Sequence, residues 1–352
     1  MSCGSWSGWS SCSVSCGRGS QQRTHSDGRL QTQDCSSLAR CPSNDVTEEE
    51  EEVWLIGGDK TGGSVERLVK TSGGNVCSRT ISSLPNDYTE HVAGYLAGKV
   101  MVCGGNSGTN RQTGKYQVHN PCYFAWPSQP ANWNPAPPMK ANTTNAAYAV
   151  HNNDLYVFGG YQKPACGFRA GVQIFRSRSD SWTWSTKYDP PFELGAYQCA
   201  VTVGDLIFVI GGWYPHNHYP SAPSCKEDLS SRELTQVNQE WDYYQDRVQI
   251  FDPVNVRWYQ GPTLLTRRRK HGCSLVRMSG NSQGIMVVGG TNSRVTGIKT
   301  VEYLDLGADL ANININGLRW RELTPTKYPR MGNPVLVDDR FEIVLFMNNQ
   351  ES

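Results

Sequence analysis

The sequence predicts an all-β protein: a small disulfide-tied module at the N-terminus, an acidic linker, and then six repeated blades of short strands, the last one incomplete. Three observations carry this. Apolar runs ending in glycine doublets recur along the chain, cysteine and tryptophan crowd its first 41 residues, and no long segment keeps apolar residues at the i, i+3, i+4 and i+7 spacing of a helix. The 35 glycines and 11 tryptophans, with only 18% charged residues, fit the same class.

The N-terminal stretch comes first. Trp6-Ser-Gly-Trp9-Ser-Ser-Cys12-Ser-Val-Ser15-Cys16-Gly17-Arg18-Gly19 leads into Gln21-Gln22-Arg23. A segment this short cannot bury an ordinary apolar core, so it needs covalent staples and stacked side chains. Indole faces attract guanidinium groups while the arginine donors stay solvated. The spacing of Cys3, Cys12, Cys16, Cys35 and Cys41, with only His25 nearby, does not match a zinc site.

Residues 1–42 resemble a thrombospondin type-1 repeat, through the WxxW and CSxSCG patterns and the basic strand after them. The resemblance implies a three-layered ribbon in which Trp6 and Trp9 stack with Arg23 and His25 takes the second basic position. It implies disulfides Cys12–Cys35 and Cys16–Cys41, with Cys3 left over. It also implies C-mannose on Trp6 or Trp9 and O-fucose on Ser15.

Residues 43–52, with Glu48 to Glu52, read as a solvated, self-repelling linker. From Val53 onward, strands end at Gly57-Gly58, Gly104-Gly105, Gly159-Gly160, Gly211-Gly212 and Gly289-Gly290, and Glu342 to Asn349 is a weaker sixth copy with asparagine replacing glycine. The steps between doublets are about 47, 55, 52 and 78 residues. After each doublet come a polar loop, a strand such as Val172 to Phe175 or Val248 to Phe251, and a strand around Trp182, Trp258 or Trp320. That order describes a four-stranded blade whose outer aromatic fills the gap between neighbours. No doublet continues as GxGxxG into an amphipathic helix, which argues against a nucleotide-binding α/β sheet.

Residues 53–352 resemble the kelch family, including an RxxH entrance to the innermost strand at Arg268 to His271 and a matching His91. The implied fold is a six-bladed kelch-type propeller. The chain opens on a second strand and stops soon after Asn349, so ring closure is expected to involve residues beyond those given.

Function is read from what remains. A net charge of +1 gives no global field for nucleic acid or an anionic membrane, and no apolar run is long enough to span a bilayer. Twelve cysteines, five of them within the first 41 residues, point to an oxidising compartment. Within the propeller, Cys103 with Cys122 and Cys166 with Cys225 are the expected pairs, while Cys199 and Cys273 on apolar strands are buried thiols or disulfides. Asn142-Thr-Thr is an N-glycosylation acceptor. No nucleophile elbow or paired-carboxylate motif stands out, no metal or cofactor is called for, and His216 and His218 read as loop.

The expectation is a secreted or cell-surface binding or adhesion protein without catalysis. Its surfaces are the propeller loops and the Trp6, Trp9, Arg23 face, and its partners an extracellular protein or a sulfated glycosaminoglycan. The run Arg267, Arg268, Arg269 and Lys270 is the candidate polyanion site, or else simply an exposed turn between blades. The alternatives are a copper-dependent oxidase on a kelch propeller and an intracellular kelch adaptor.

Overall fold

The computed structural model describes residues 18–26, 29–36, 53–58, 62–70, 76–109, 116–162, 167–168, 171–185, 190, 194–213, 244–278, 282–292, 297–329, 335–338 and 343–346. Contacts divide the chain into two compact units. One comprises residues 1–56 and 64–83, the other residues 57–63 and 84–352.

In the first unit, Arg18–Thr24 and Leu30–Ser36 pair antiparallel, with Gly19 opposite Cys35 and Arg23 opposite Gln31. The Arg23 Nε donates to Gln31 Oε1 at 2.8 Å, tying the basic strand to its neighbour. Trp6, Trp9, Cys12, Ser15, Cys16 and Cys41 lie outside the described residues, and so do the stack and disulfides expected of them. A three-stranded sheet follows, from Val53–Gly58, Gly62–Lys70 and Val76–Ser83.

The second unit contains four antiparallel sheets of four strands each. Numbered by the glycine-doublet copies of the sequence, blade 2 is Val92–Leu96, Lys99–Cys103, Cys122–Trp126 and Gln129–Ala136. Blade 3 is Ala147–His151, Asp154–Phe158, Val172–Arg176 and Ser181–Ser185. Blade 4 is Cys199–Val203, Leu206–Ile210, Val248–Asp252 and Arg257–Gln260. Blade 5 is Gly272–Arg277, Gln283–Val288, Val301–Gly307 and Trp320–Leu323. Two further paired strands, Val335–Asp338 and Ile343–Phe346, occupy the place of the sixth copy. The helical content among the described residues is one 3-10 turn, Ile315–Gly317.

The apolar runs lack polar alternation because each strand is covered on both faces. Leu155 and Val157 pack with Val92 and Met101 of blade 2, whereas Tyr156 and Phe158 on the opposite face pack with Ile207, Val209 and Phe251 of blade 4. The core is thus a series of layers between blades. Trp182 and Trp320, 4% and 7% exposed, close these layers as the sequence suggests. Each indole N–H finds a carbonyl, Pro137 at 2.8 Å and Pro262 at 2.9 Å, so burying the ring leaves no donor unpaired.

The glycine doublets stitch one blade to the next. Gly105, Gly160 and Gly212 donate their N–H to the carbonyls of Thr143, Gly195 and Arg268, each in the segment entering the following blade, at 2.8, 2.9 and 2.8 Å. Gly212 shows why a side chain is excluded. Its φ is +104°, and a Cβ would run into Gln198 Cγ and meet the Ala196 carbonyl at 2.9 Å.

Two disulfides are described in this unit. Cys103–Cys122 joins directly opposed residues of the second and third strands of blade 2, a place held by Phe158 and Val172 in blade 3. Cys199–Cys273 joins the innermost strands of blades 4 and 5, across a sequence separation of 74. The sequence gives no reason to join those two. Cys166 and Cys225 lie outside the described residues, as do His216 and His218.

Candidate functional site: the rim where the innermost strands begin

Each innermost strand is entered through a residue in the left-handed region: Glu90, Asn145, Tyr197 and Lys270, with φ of 56°, 55°, 58° and 54°. A left-handed residue costs energy unless its surroundings hold it. Here a backbone chain does so. Asn145 donates to the Glu90 carbonyl, Tyr197 to that of Asn145, and Lys270 to that of Tyr197, at 3.1, 2.8 and 3.1 Å. The residue just before each one bridges to the residue that follows a glycine doublet: Thr89 to Asn106, Thr144 to Tyr161, Ala196 to Trp213 and Arg269 to Thr291. Repeat geometry therefore brings four variable positions into one arc, on a backbone that does not vary.

The two ends of the arc differ in chemistry. At blades 2 and 3, Glu90 accepts from Asn106 Nδ2 at 2.7 Å and from the Asn145 amide, so its carboxylate is held within a polar cluster. At blades 4 and 5, cations rest on aromatic rings. The Arg269 guanidinium lies 5.4, 5.5 and 5.0 Å from the ring centroids of Tyr197, Trp213 and Tyr244, and the Lys270 ammonium lies 4.8 Å over Tyr197. Bridges from Trp213 to both Ala196 and Tyr244 fix the rings in place. Neither Arg269 nor Lys270 has a carboxylate partner among the described residues.

The basic run is accordingly not one exposed patch, and the sequence expectation for it is corrected. Arg268 is completely buried. It donates to the Gly289 carbonyl at 2.8 Å and to Thr300 Oγ1 at 2.8 Å, and it forms an ion pair with Glu302, itself 1% exposed. Glu302 also accepts the N–H groups of Leu265 and Thr266 at 2.7 and 3.0 Å. In blade 3 the same two positions carry Thr143 and Gln173, where Gln173 accepts from the Ala141 N–H at 3.1 Å and donates to Thr143 Oγ1 at 3.0 Å. Arg268 is thus the charged version of a structural clasp, and a partner in solvent cannot reach it. Arg267 is the exposed member of the four, 56% accessible, and it pairs with Asp246 at 3.5 Å.

His271, which completes the RxxH pattern, is also structural. It is wholly buried against Gly211, and neither ring nitrogen has a hydrogen-bond partner among the described residues. Burial pushes its imidazole down to about 3, the charge of Arg268 adds to this, and the Ile210 carbonyl works the other way without reaching hydrogen-bond geometry. Asn142 is half-buried, beside the buried Thr143 and Thr144. Among the described residues no three His, Cys, Asp or Glu side chains cluster as metal ligands, and no helix is long and apolar enough to cross a membrane.

The aromatic members of this rim went unassigned in the sequence because they come from three separate segments. One signal was present: Trp213 directly follows a glycine doublet, the same repeat position as Asn106, Tyr161 and Thr291.

Comparison with known proteins agrees with this architecture. Residues 4–46 match the thrombospondin type 1 domain. Alpha-scruin of Limulus polyphemus is 24% identical over 219 residues, which is 62% of this chain and 21% of that protein. Human kelch domain-containing protein 1 is 25% identical over 202 residues, 53% of this chain and 47% of that protein. The chain therefore spans less than half of either relative. The solved structure of YjhT, a kelch propeller, superimposes with a TM-score of 0.54 at 14% identity, covering 82% of this chain and 85% of YjhT. The chain thus carries a thrombospondin type 1 domain ahead of kelch repeats that fold as a β-propeller.

Proposed function

We propose that this protein is a non-enzymatic extracellular binding protein, and that the cation and aromatic end of the rim takes an acidic segment of a partner protein. The observation that carries the reading is the pair Arg269 and Lys270, both without carboxylate partners among the described residues and both braced on Tyr197. Bracing on rings lowers the entropy lost when these long side chains bind, and an aromatic surface beside a cation supplies area as well as charge. The N-terminal module and the two described disulfides favour an oxidising, extracellular setting.

A random peptide display library panned against the full chain tests this. The expected result is enrichment of Asp- and Glu-rich peptides whose binding falls at least about tenfold in R269Q/K270Q, each lost charge-assisted contact being worth about that much. Selection of neutral or basic peptides, or acidic peptides that bind R269Q/K270Q unchanged, refutes the reading.

A further inference from the structure

At the opposite ends of the strands from the glycine doublets, a cavity of about 400 Å³ opens between blades 3 and 4. It is lined by His151 and Tyr156, 5% and 3% exposed, by Asp154, Arg176 and Arg178 of blade 3, and by Pro253 and Val254 of the blade 4 turn. Its volume suits a small ligand.

The cavity sits where blade 3 departs from blades 4 and 5, and blade 2 carries Trp126 at the same position. In blades 4 and 5 the third strand reaches its turn with an aspartate that holds the turn by accepting backbone N–H groups. Asp252 takes those of Val254 and Asn255 at 3.0 and 2.9 Å, and Asp305 takes that of Gly307 at 3.0 Å. The corresponding residue of blade 3 is Arg176, so the charge at this position is reversed. The holding task has moved to Asp154 on the neighbouring strand, which accepts the Ser177 N–H at 3.0 Å and Arg176 Nη1 at 2.7 Å. A charge reversal at a repeat position that is compensated nearby is where a functional constraint is expected.

The donors are arranged for an anion. Arg176 Nη1 reaches Asp154 and, at 3.3 Å, the Tyr156 hydroxyl, while its Nε and Nη2 have no partner among the described residues. Arg178 is exposed and makes no ion pair among the described residues. The Tyr156 hydroxyl accepts from Arg176 and keeps its own proton to donate, and burial pushes that phenol up, so it stays protonated at neutral pH. His151 is engaged by Asp205 at 3.3 Å. With Asp154 paired to Arg176 and Asp205 engaged by His151, the guanidinium of Arg178 is the cation at this opening that has no ion pair among the described residues.

We propose that this cavity binds one sulfate-bearing saccharide unit. The guanidinium donors of Arg176 and Arg178 hold the sulfate oxygens, the Tyr156 hydroxyl bonds a ring substituent, and Pro253 and Val254 cover an apolar sugar face. The site is independent of the rim formed by Arg269 and Lys270, so either can fail without the other.

The test is calorimetric titration of the full chain with a sulfated heparin disaccharide and with its desulfated counterpart. The expected result is saturable binding of the sulfated form only, weakened about tenfold or more in R178Q and in R176D, which installs the aspartate of blades 4 and 5, and unchanged in R267Q/K270Q. R178Q alters an exposed side chain, so its thermal midpoint should match that of the unmodified protein and its loss of binding is not loss of fold. Equal binding of both disaccharides, wild-type affinity in R178Q, or loss of binding in R267Q/K270Q overturns the proposal.

Discussion

Buried His271 makes stability depend on pH in a way that can be worked out in advance. Its imidazole titrates at about 3 in the folded chain, against about 6.5 in an unfolded one. Between those values the unfolded state binds a proton that the folded state refuses. The stabilisation is therefore complete above about pH 6.5 and is lost as pH falls toward 3. At pH 5 the unfolded histidine lies about 1.5 units below its ordinary pKa, which at about 1.36 kcal/mol per unit costs about 2 kcal/mol. His271→Gln removes the titrating group and supplies the residue that blade 4 carries at the same position, Gln198. Urea unfolding followed by tryptophan fluorescence at pH 7 and pH 5 reads the effect, provided the slope with urea stays constant. Other groups titrate alike in both proteins, so the unmodified chain should lose about 2 kcal/mol more than H271Q. Equal losses in the two proteins would refute a buried, neutral His271.

Three further outcomes are expected. Arg268→Ala should cost about 3 to 5 kcal/mol by stranding the buried Glu302 carboxylate; R268T/E302Q, which installs the Thr143–Gln173 clasp of blade 3, should recover most of that, and a double mutant no more stable than R268A would contradict the equivalence. Replacing Cys199 and Cys273 together by alanine should lower stability by roughly 4 kcal/mol, given the 74-residue separation they close, with an unchanged unfolding midpoint under non-reducing conditions as the contrary result. Protein from a secretory host should carry hexose on Trp6 or Trp9, deoxyhexose on Ser15 and an N-glycan on Asn142, all readable by peptide mass spectrometry; unmodified peptides would remove these assignments.

The propeller was legible because its constraint is local and repeated. At the first glycine of a doublet a Cβ would come within 3 Å of a carbonyl of the segment entering the next blade, so only glycine fits and the doublets announce themselves. The Cys103–Cys122 pair could be guessed for a similar reason, since its residues lie on neighbouring strands of one blade. Cys199 and Cys273 meet only because two innermost strands lie side by side, a juxtaposition that spacing does not encode. The run Arg267 to Lys270 misled because four cations in sequence read as solvent-facing, whereas the strand entrance turns Arg268 inward to Glu302 and lays Arg269 on rings drawn from residues 197, 213 and 244. Arg176 stands in the sequence where Val248 to Asp252 carries aspartate after the same Val-Gln-Ile-Phe run, but that Asp154 takes over the turn is a contact between strands that spacing does not encode.

The central claim, an oxidised extracellular binding propeller, is tested most directly by counting free thiols in the protein isolated in its native state. The chain has twelve cysteines. The account predicts none or about two reactive thiols, Cys3 being the residue left over within the N-terminal module, with Cys199 and Cys273 recovered as one linked peptide. A count near twelve, with both of those residues alkylated before reduction, would place the protein in a reducing compartment and contradict it.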